Sequence, residues 1–273
     1  MKNNLEANLK FIVPQKTKPV FESSEYTGTV PKIHFKTEYR PVPILDIRDS
    51  NISYTMEKNG FQLLKHKTKV KNFYNHEEVI KIYEKELKDF LIKFTGAHEV
   101  VIFDYTRRSD GESGARNPDG LRGPADRVHS DYTDLSGPKR AKDVLGMDNY
   151  NNLLKEGGRI VQLNVWRAIN GPVKRSPLAF ADAESIPKKD LVETDQIFSN
   201  RTGEIYHISY SKKHKWHWVS DMQNDEVLLL KGWDSINDGR VKYTPHGAFE
   251  LPNQLDSDPP RESIEARVFL IFN

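Results

Sequence analysis

From residue 159 onward, apolar and polar positions alternate. In RIVQLNVWRAI (159–169), Val161, Leu163 and Val165 fall on one face of an extended segment, and Gln162, Asn164 and Trp166 on the other. Five more short segments follow: PLAFADA (177–183), EIYHISY (204–210), KWHWVS (215–220), EVLLLKGW (226–233) and SIEARVFLIF (263–272). Short strands separated by turn signals predict a sandwich or barrel.

The first half is mixed. Val79, Tyr83, Leu87, Phe90, Leu91 and Phe94 recur at helical spacing and predict a helix over 76–95. Asn75 caps it, Glu78 completes the capping-box pattern, and Gly96 ends it. This helix is expected to pack outside a sheet, with a strand over 98–105 after it. Asn59-Gly60 predicts a turn between two short strands within 52–66. Residues 138–156 are weakly helical and stop at Gly157-Gly158. Residues 1–31 are polar and spaced by Pro14, Pro19 and Pro31, and Pro41 and Pro43 interrupt the strand pattern after them. The expectation is an extended N-terminal arm over 1–50 and a single domain over 51–273. Residues 106–127 carry Gly and Pro turn signals and five arginines. A loop this long is usually functional or mobile, so it is read as lid-like; a solvated surface insertion explains it equally well.

Composition narrows the chemistry. The chain has 273 residues with 41 basic and 39 acidic, a near-balance without the electrostatic footprint of a nucleic-acid binder. It has no cysteine, which excludes disulfides, thiolate metal sites and a cysteine nucleophile. Any metal must therefore use histidine and carboxylate. The first residues, MKNNLEANLKFIVPQ, lack a signal-peptide core, and no stretch approaches a membrane span, so a cytoplasmic protein is the expectation.

His129 and Asp131 then stand out. On an extended chain two positions apart means one side, so an imidazole and a carboxylate can share a metal ion. His76 and Glu78 have the same spacing but open a predicted helix, where positions two apart diverge by about 200°. A second histidine would complete the two-His-one-carboxylate face of a non-haem Fe(II) oxygenase. His207, His214, His217 and His246 are the candidates. His246 is favoured, being flanked by Pro245 and Gly247 and followed by Arg261-x-Ser263, and His217 is the main rival. An Arg fork with a Ser hydroxyl can hold a carboxylate, here the distal one of 2-oxoglutarate. Arg267 shares that strand face and competes as the anchor. Trp166, Arg167, Trp216 and Trp218 are candidates for the substrate pocket wall, with ordinary sheet packing as the alternative. Metal ligands on either side of the strand run meet in space if the strands form a double-stranded β-helix, the cupin-like jelly roll.

The segments VHSDYT (128–133), LNVWRAI (163–169), SPLAFADA (176–183), HKWHWVSDMQNDEVLLLKGWDS (214–235), TPHGAF (244–249) and PRESIEAR (260–267), in this order, resemble the CmcJ/NvfI-type oxidoreductases, a family with AsaB-like and gibberellin-desaturase-like members. The resemblance covers roughly residues 60–273. It implies a mainly β jelly roll with flanking helices, and an Fe(II)/2-oxoglutarate-dependent dioxygenase of secondary metabolism. It implies iron on His129, Asp131 and His246, and 2-oxoglutarate on Arg261. The expected reaction consumes dioxygen and hydroxylates or desaturates an unactivated C–H of a small molecule. No nucleic-acid or membrane partner is expected, and an arm that can wrap a neighbour keeps a homodimer in view. Three rivals remain: an AlkB-like nucleic-acid demethylase, an isomerase-like iron enzyme without 2-oxoglutarate turnover, and a non-catalytic jelly roll that binds a metabolite.

Overall fold

The computed structural model describes residues 4–28, 31–117 and 120–273; residues 1–3 and 29–30 of the expected arm and 118–119 of the expected lid lie outside the described residues. The strands in chain order are β1 (Leu5–Ile12), β2 (Val20–Glu22), β3 (Lys32–Ile33), β4 (Thr37–Asp46), β5 (Phe61–Lys65), β6 (Glu99–Ser109), β7 (Ala115–Asn117), β8 (Gly120–Arg122) and β9 (His129–Ser130). They continue as β10 (Arg159–Ala168), β11 (Leu178–Ala181), β12 (Leu191–Ile197), β13 (Thr202–Ile208), β14 (Trp216–Trp218), β15 (Glu226–Asp234), β16 (His246–Ala248) and β17 (Glu262–Phe272). One sheet runs β1-β4-β14-β11-β16-β9-β13-β12-β2-β3, and a smaller one runs β5-β15-β10-β17-β6. The sheets face each other across Phe61, Trp166, Phe180, Leu228 and Leu230. This is the expected jelly roll. None of the helices of the described residues is long and apolar enough to cross a membrane.

Alternation on β10 and β17 assigns the two faces of the smaller sheet. Val161, Leu163, Val165, Ile264, Ala266 and Val268 pack outward against the helical segment, through Val79, Tyr83, Leu87 and Leu91. That segment runs His76–Glu78, a π-helical turn Val79–Tyr83, then Glu84–Thr95. Asn75 accepts from the Glu78 N–H at 3.2 Å, and Gly96 closes the end at φ 74°. The other half of the capping box is missing, because the Glu78 carboxylate accepts instead from the Lys71 and Asn72 N–H groups.

Three expectations differ from what is observed. The N-terminal fifty residues contain β1 to β4 and are built into the larger sheet. β1 pairs along its whole length with β4, and bridges from Lys10 to Arg127 and from Ile12 to Ser209 curl the sheet back on itself. Leu9, Phe11, Ile44, Trp216 and Trp218 fill the roll so formed. Pro41 and Pro43 lie where β4 has only β1 as a neighbour, so their missing N–H groups cost little pairing. Second, 52–66 holds one strand, not two, since the Asn59 side chain is committed to Thr55 N–H and to the Asp182 carboxylate. Third, 106–127 is partly regular: β6 extends through Ser109, and β7 and β8 form a hairpin.

A buried charge cluster braces β10 against β15. Asp234 is fully buried and accepts from Lys231, itself 1% exposed, at 3.1 Å and from Arg159 at 3.1 Å. Burial pushes the Asp234 pKa up, but Arg159 and Lys231 outweigh it and hold it below the ordinary carboxylate value. Asp234→Ala would leave Lys231 buried with only Glu57, and is expected to cost about 3–5 kcal/mol in urea unfolding. The depressed pKa means this contribution is present at neutral pH and lost as pH falls through the folded-state value.

Candidate metal centre

His129 and His246 are directly opposite each other on the antiparallel neighbours β9 and β16. Their ring centroids are 4.8 Å apart. Asp131 follows β9, and its Oδ1 comes within 3.6 Å of His129 Nε2. One ligand atom from each of the three residues falls within 4.8 Å of the others.

Backbone carbonyls set the tautomers. His129 Nδ1 donates to Arg127 O at 2.7 Å, and His246 Nδ1 donates to Thr244 O at 2.9 Å. In the neutral ring this arrangement puts the lone pair on Nε2, the state a metal ligand requires. Burial, reinforced by His129, lowers the His246 pKa and favours the neutral ring. Asp131 is driven up by burial, but Arg267 and then the two histidines overcome this and hold it well below the usual carboxylate range. Two imidazole nitrogens and an ionised carboxylate therefore converge on one point.

A cleft opens beside these ligands, lined by Thr106, Arg108, Ala125, Trp166, Leu178, Arg261, Ser263, Glu265 and Arg267. Its arginines are in different situations. Arg267 is occupied: it pairs with Asp104 and Glu265, bonds Thr106, and lies 3.8 Å from Asp131. Arg261 is 1% exposed and donates through Nη1 to Ser176 O at 2.6 Å. Its Nε and Nη2 are buried with no hydrogen-bond partner among the described residues. Burial, then the neighbouring Arg108, lowers its pKa to about 10, which still leaves it charged at neutral pH. Asp110 steadies this end, accepting from the Arg261 backbone N–H and the Ser176 hydroxyl. An unpaired buried guanidinium is costly unless an anion completes it.

Of the sequence-derived pocket candidates, Trp166 does line the cleft, with the Arg261 guanidinium 5.9 Å from its ring. The other three are corrected. Arg167 is one position on, so strand alternation turns it to the opposite face, where it bonds Tyr83, His66 and the Asn224 carbonyl beneath the helix. Trp216 and Trp218 are on the far side of the larger sheet, against Phe11 and Phe249. Their neighbour His217 faces inward but is screened from His246 by Phe180, and His214 pairs with Asp190. His207 lies beside His129 in register and uses Nδ1 toward Thr194. Sequence reasoning missed Gln162 and Asn164 as site residues. Asn164 Nδ2 donates to Asp131 Oδ2, and Gln162 Nε2 donates to Asn164 Oδ1 at 2.8 Å. The signal was there: two amides at alternate positions of a strand whose neighbouring positions are apolar. Arg108, Thr106 and Glu265 were likewise hidden, the first two in the arginine-rich segment read as a loop.

Comparison with known proteins places the chain in a family. A family model described as an oxidoreductase/YMDC permease-like domain matches residues 9–271. The hydroxylase/desaturase efuI of Hormonema carpetanum is 32% identical over 271 residues, covering 90% of this chain and 88% of that protein. The alpha-ketoglutarate-dependent dioxygenase tstK of Talaromyces stipitatus is 30% identical over 246 residues, covering 85% of this chain and 84% of that protein. Among solved structures, the iron and alpha-ketoglutarate-dependent endoperoxidase NvfI superposes with a TM-score of 0.86 at 24% identity, covering 100% of this chain and 99% of that one, which establishes the common fold. The β-strand frame and the extent of the sequence match lead to one assignment: the chain belongs to the Fe(II)/2-oxoglutarate-dependent oxidoreductase family of these fungal hydroxylase/desaturases.

Proposed function

We propose that His129, Asp131 and His246 hold Fe(II), that Arg261 and Ser263 hold the distal carboxylate of 2-oxoglutarate, and that the enzyme hydroxylates or desaturates an unactivated C–H of a small-molecule metabolite. The observation that carries this is the buried guanidinium of Arg261, whose Nε and Nη2 have no partner among the described residues, in the same cleft as two histidines whose Nδ1 atoms are engaged by backbone carbonyls. The donor set suits a ferrous ion, with three positions left for exogenous ligands. The bound iron, 2-oxoglutarate and dioxygen together supply the oxidising power for C–H attack.

The chain's own residues do the rest. Arg261 can present Nε and Nη2 as a two-pronged donor to a carboxylate, and Ser263 lies two residues along on the same face. Arg267 is committed to Asp104 and Glu265 and keeps Asp131 ionised, so Arg261 is favoured as the anchor. Trp166 and Leu178 offer an apolar wall to the substrate, and the Arg108 side chain reaches the same cleft. Arg167, Trp216 and Trp218 have no part in it. An N-terminal strand used within its own sheet gives no support to a dimer made by arm exchange.

The test is anaerobic addition of Fe(II) and then 2-oxoglutarate to metal-free protein. A saturable visible charge-transfer band at one equivalent is expected. Bound iron without the band would favour the isomerase-like reading, and neither iron nor band would favour a binding module.

A further inference from the structure

Asp131 has two carboxylate oxygens, and one is already engaged. Oδ2 accepts from Asn164 Nδ2, while Oδ1 faces His129 Nε2 at 3.6 Å. Asn164 is not free to turn its amide over, because Gln162 Nε2 donates to its Oδ1 at 2.8 Å. The two amides are 0% and 1% exposed. Gln162 in turn depends on a backbone irregularity. The β10–β15 ladder steps from Gln162 opposite Trp233 to Leu163 opposite Lys231, so Gly232 is an extra, bulged residue. A Cβ at Gly232 would lie 1.8 Å from Gln162 Oε1. Only glycine leaves room for the amide where it is.

We propose that Gln162 and Asn164, seated by the glycine bulge at 232, are positioning residues that hold Asp131 to one-oxygen ligation of a divalent cation. This rests on the metal centre proposed above. Two buried amides on a strand whose other face is Val161, Leu163 and Val165 are a costly choice where apolar side chains would pack as well. Gln162 Oε1 even lacks a hydrogen-bond partner among the described residues. What the pair achieves is a fixed direction: Gln162 Nε2 donates to Asn164 Oδ1, and Asn164 Nδ2 donates to Asp131 Oδ2. With that oxygen tied down, the carboxylate cannot swing to offer both oxygens to the cation. Two-oxygen ligation would take up one of the three positions that 2-oxoglutarate and dioxygen need.

Co(II) is the probe, because its visible spectrum reports coordination number without turnover. It is titrated anaerobically into metal-free wild type, Asn164→Ala, Asn164→Asp and Gly232→Ala, each first checked for cooperative thermal unfolding. Partners that orient metal ligands are worth about 10- to 100-fold in affinity. Asn164→Ala is expected to weaken Co(II) by that factor and to change its spectrum. Asn164→Asp, which keeps the shape but replaces the donor with an acceptor, should do no better. Gly232→Ala should show the same change in smaller measure with Asp131 and Asn164 intact. Spectra and affinities equal to wild type would overturn the inference. So would weaker binding with an unchanged spectrum, which would reduce the pair to a structural role. If Asn164→Ala does not fold, Asn164→Asp and Gly232→Ala decide by the same two readouts. Failure of wild type itself to bind Co(II) would sink the metal centre, and this inference with it.

Discussion

His246→Ala is expected to abolish stoichiometric iron binding, with affinity falling at least about 100-fold, the upper end of what losing a mere orienting partner costs. The remaining donors, His129 and Asp131, come from one short stretch of chain and cover only one side of the site. Among the described residues, only His129, Asp131 and His246 form a trio whose metal-ligating atoms lie within 4.8 Å of one another; His207 is outside that group, and His217 is two strands away beyond Phe180. His129→Ala should behave alike, since the pair is in register across β9 and β16. The measurement is iron per chain after anaerobic loading and desalting, with thermal unfolding of the metal-free proteins as a control. Full iron in His246→Ala would show that the third ligand is elsewhere.

Arg261→Ala should separate the two cofactors. Iron content should stay at wild type, because Arg261 touches none of the three ligands. The dissociation constant for 2-oxoglutarate, read from the charge-transfer band, should rise. A hydrogen bond to a charged group contributes about 1.5–3 kcal/mol, equivalent to roughly 10- to 150-fold. Arg261→Lys should recover only part of it, because an ammonium cannot reproduce the two-pronged fork. Arg267→Ala is the informative contrast. Arg267 neutralises Asp104, Glu265 and, more distantly, Asp131, so its loss should disturb metal affinity and stability together. A normal 2-oxoglutarate titration in Arg261→Ala with a defective one in Arg267→Ala, iron retained, would exchange the two assignments.

What the sequence by itself determined is local. The strand-rich second half, the helix capped at Asn75 and the alternation on β10 follow from short-range periodicity, which depends only on which residues are two or four positions apart. His129 and Asp131 were legible for the same reason, as were the order of His246 and the Arg261-x-Ser263 pair behind it. The wider resemblance supplied the chemistry to expect from them. The tertiary structure decided what depends on pairing between distant segments. Residues 1–50 read as an arm because 1–31 are polar and spaced by Pro14, Pro19 and Pro31, and Pro41 and Pro43 break the pattern after them, yet β1 buries Leu9 and Phe11 only once Trp216 and Ile44 arrive to cover them. Trp216 and Trp218 read as pocket residues because aromatic content does not reveal which face of a sheet is functional. Arg261 and Arg267 share a strand face and a charge, and only their neighbours distinguish them. Asp104 and Glu265 form salt bridges with Arg267, while the Nε and Nη2 of Arg261 have no hydrogen-bond partner among the described residues. The Gln162–Asn164–Asp131 chain depends on an extra residue in another strand, Gly232, which no pattern along β10 can announce. Periodicity fixes the side to which a residue points, whereas the fold determines what it meets there.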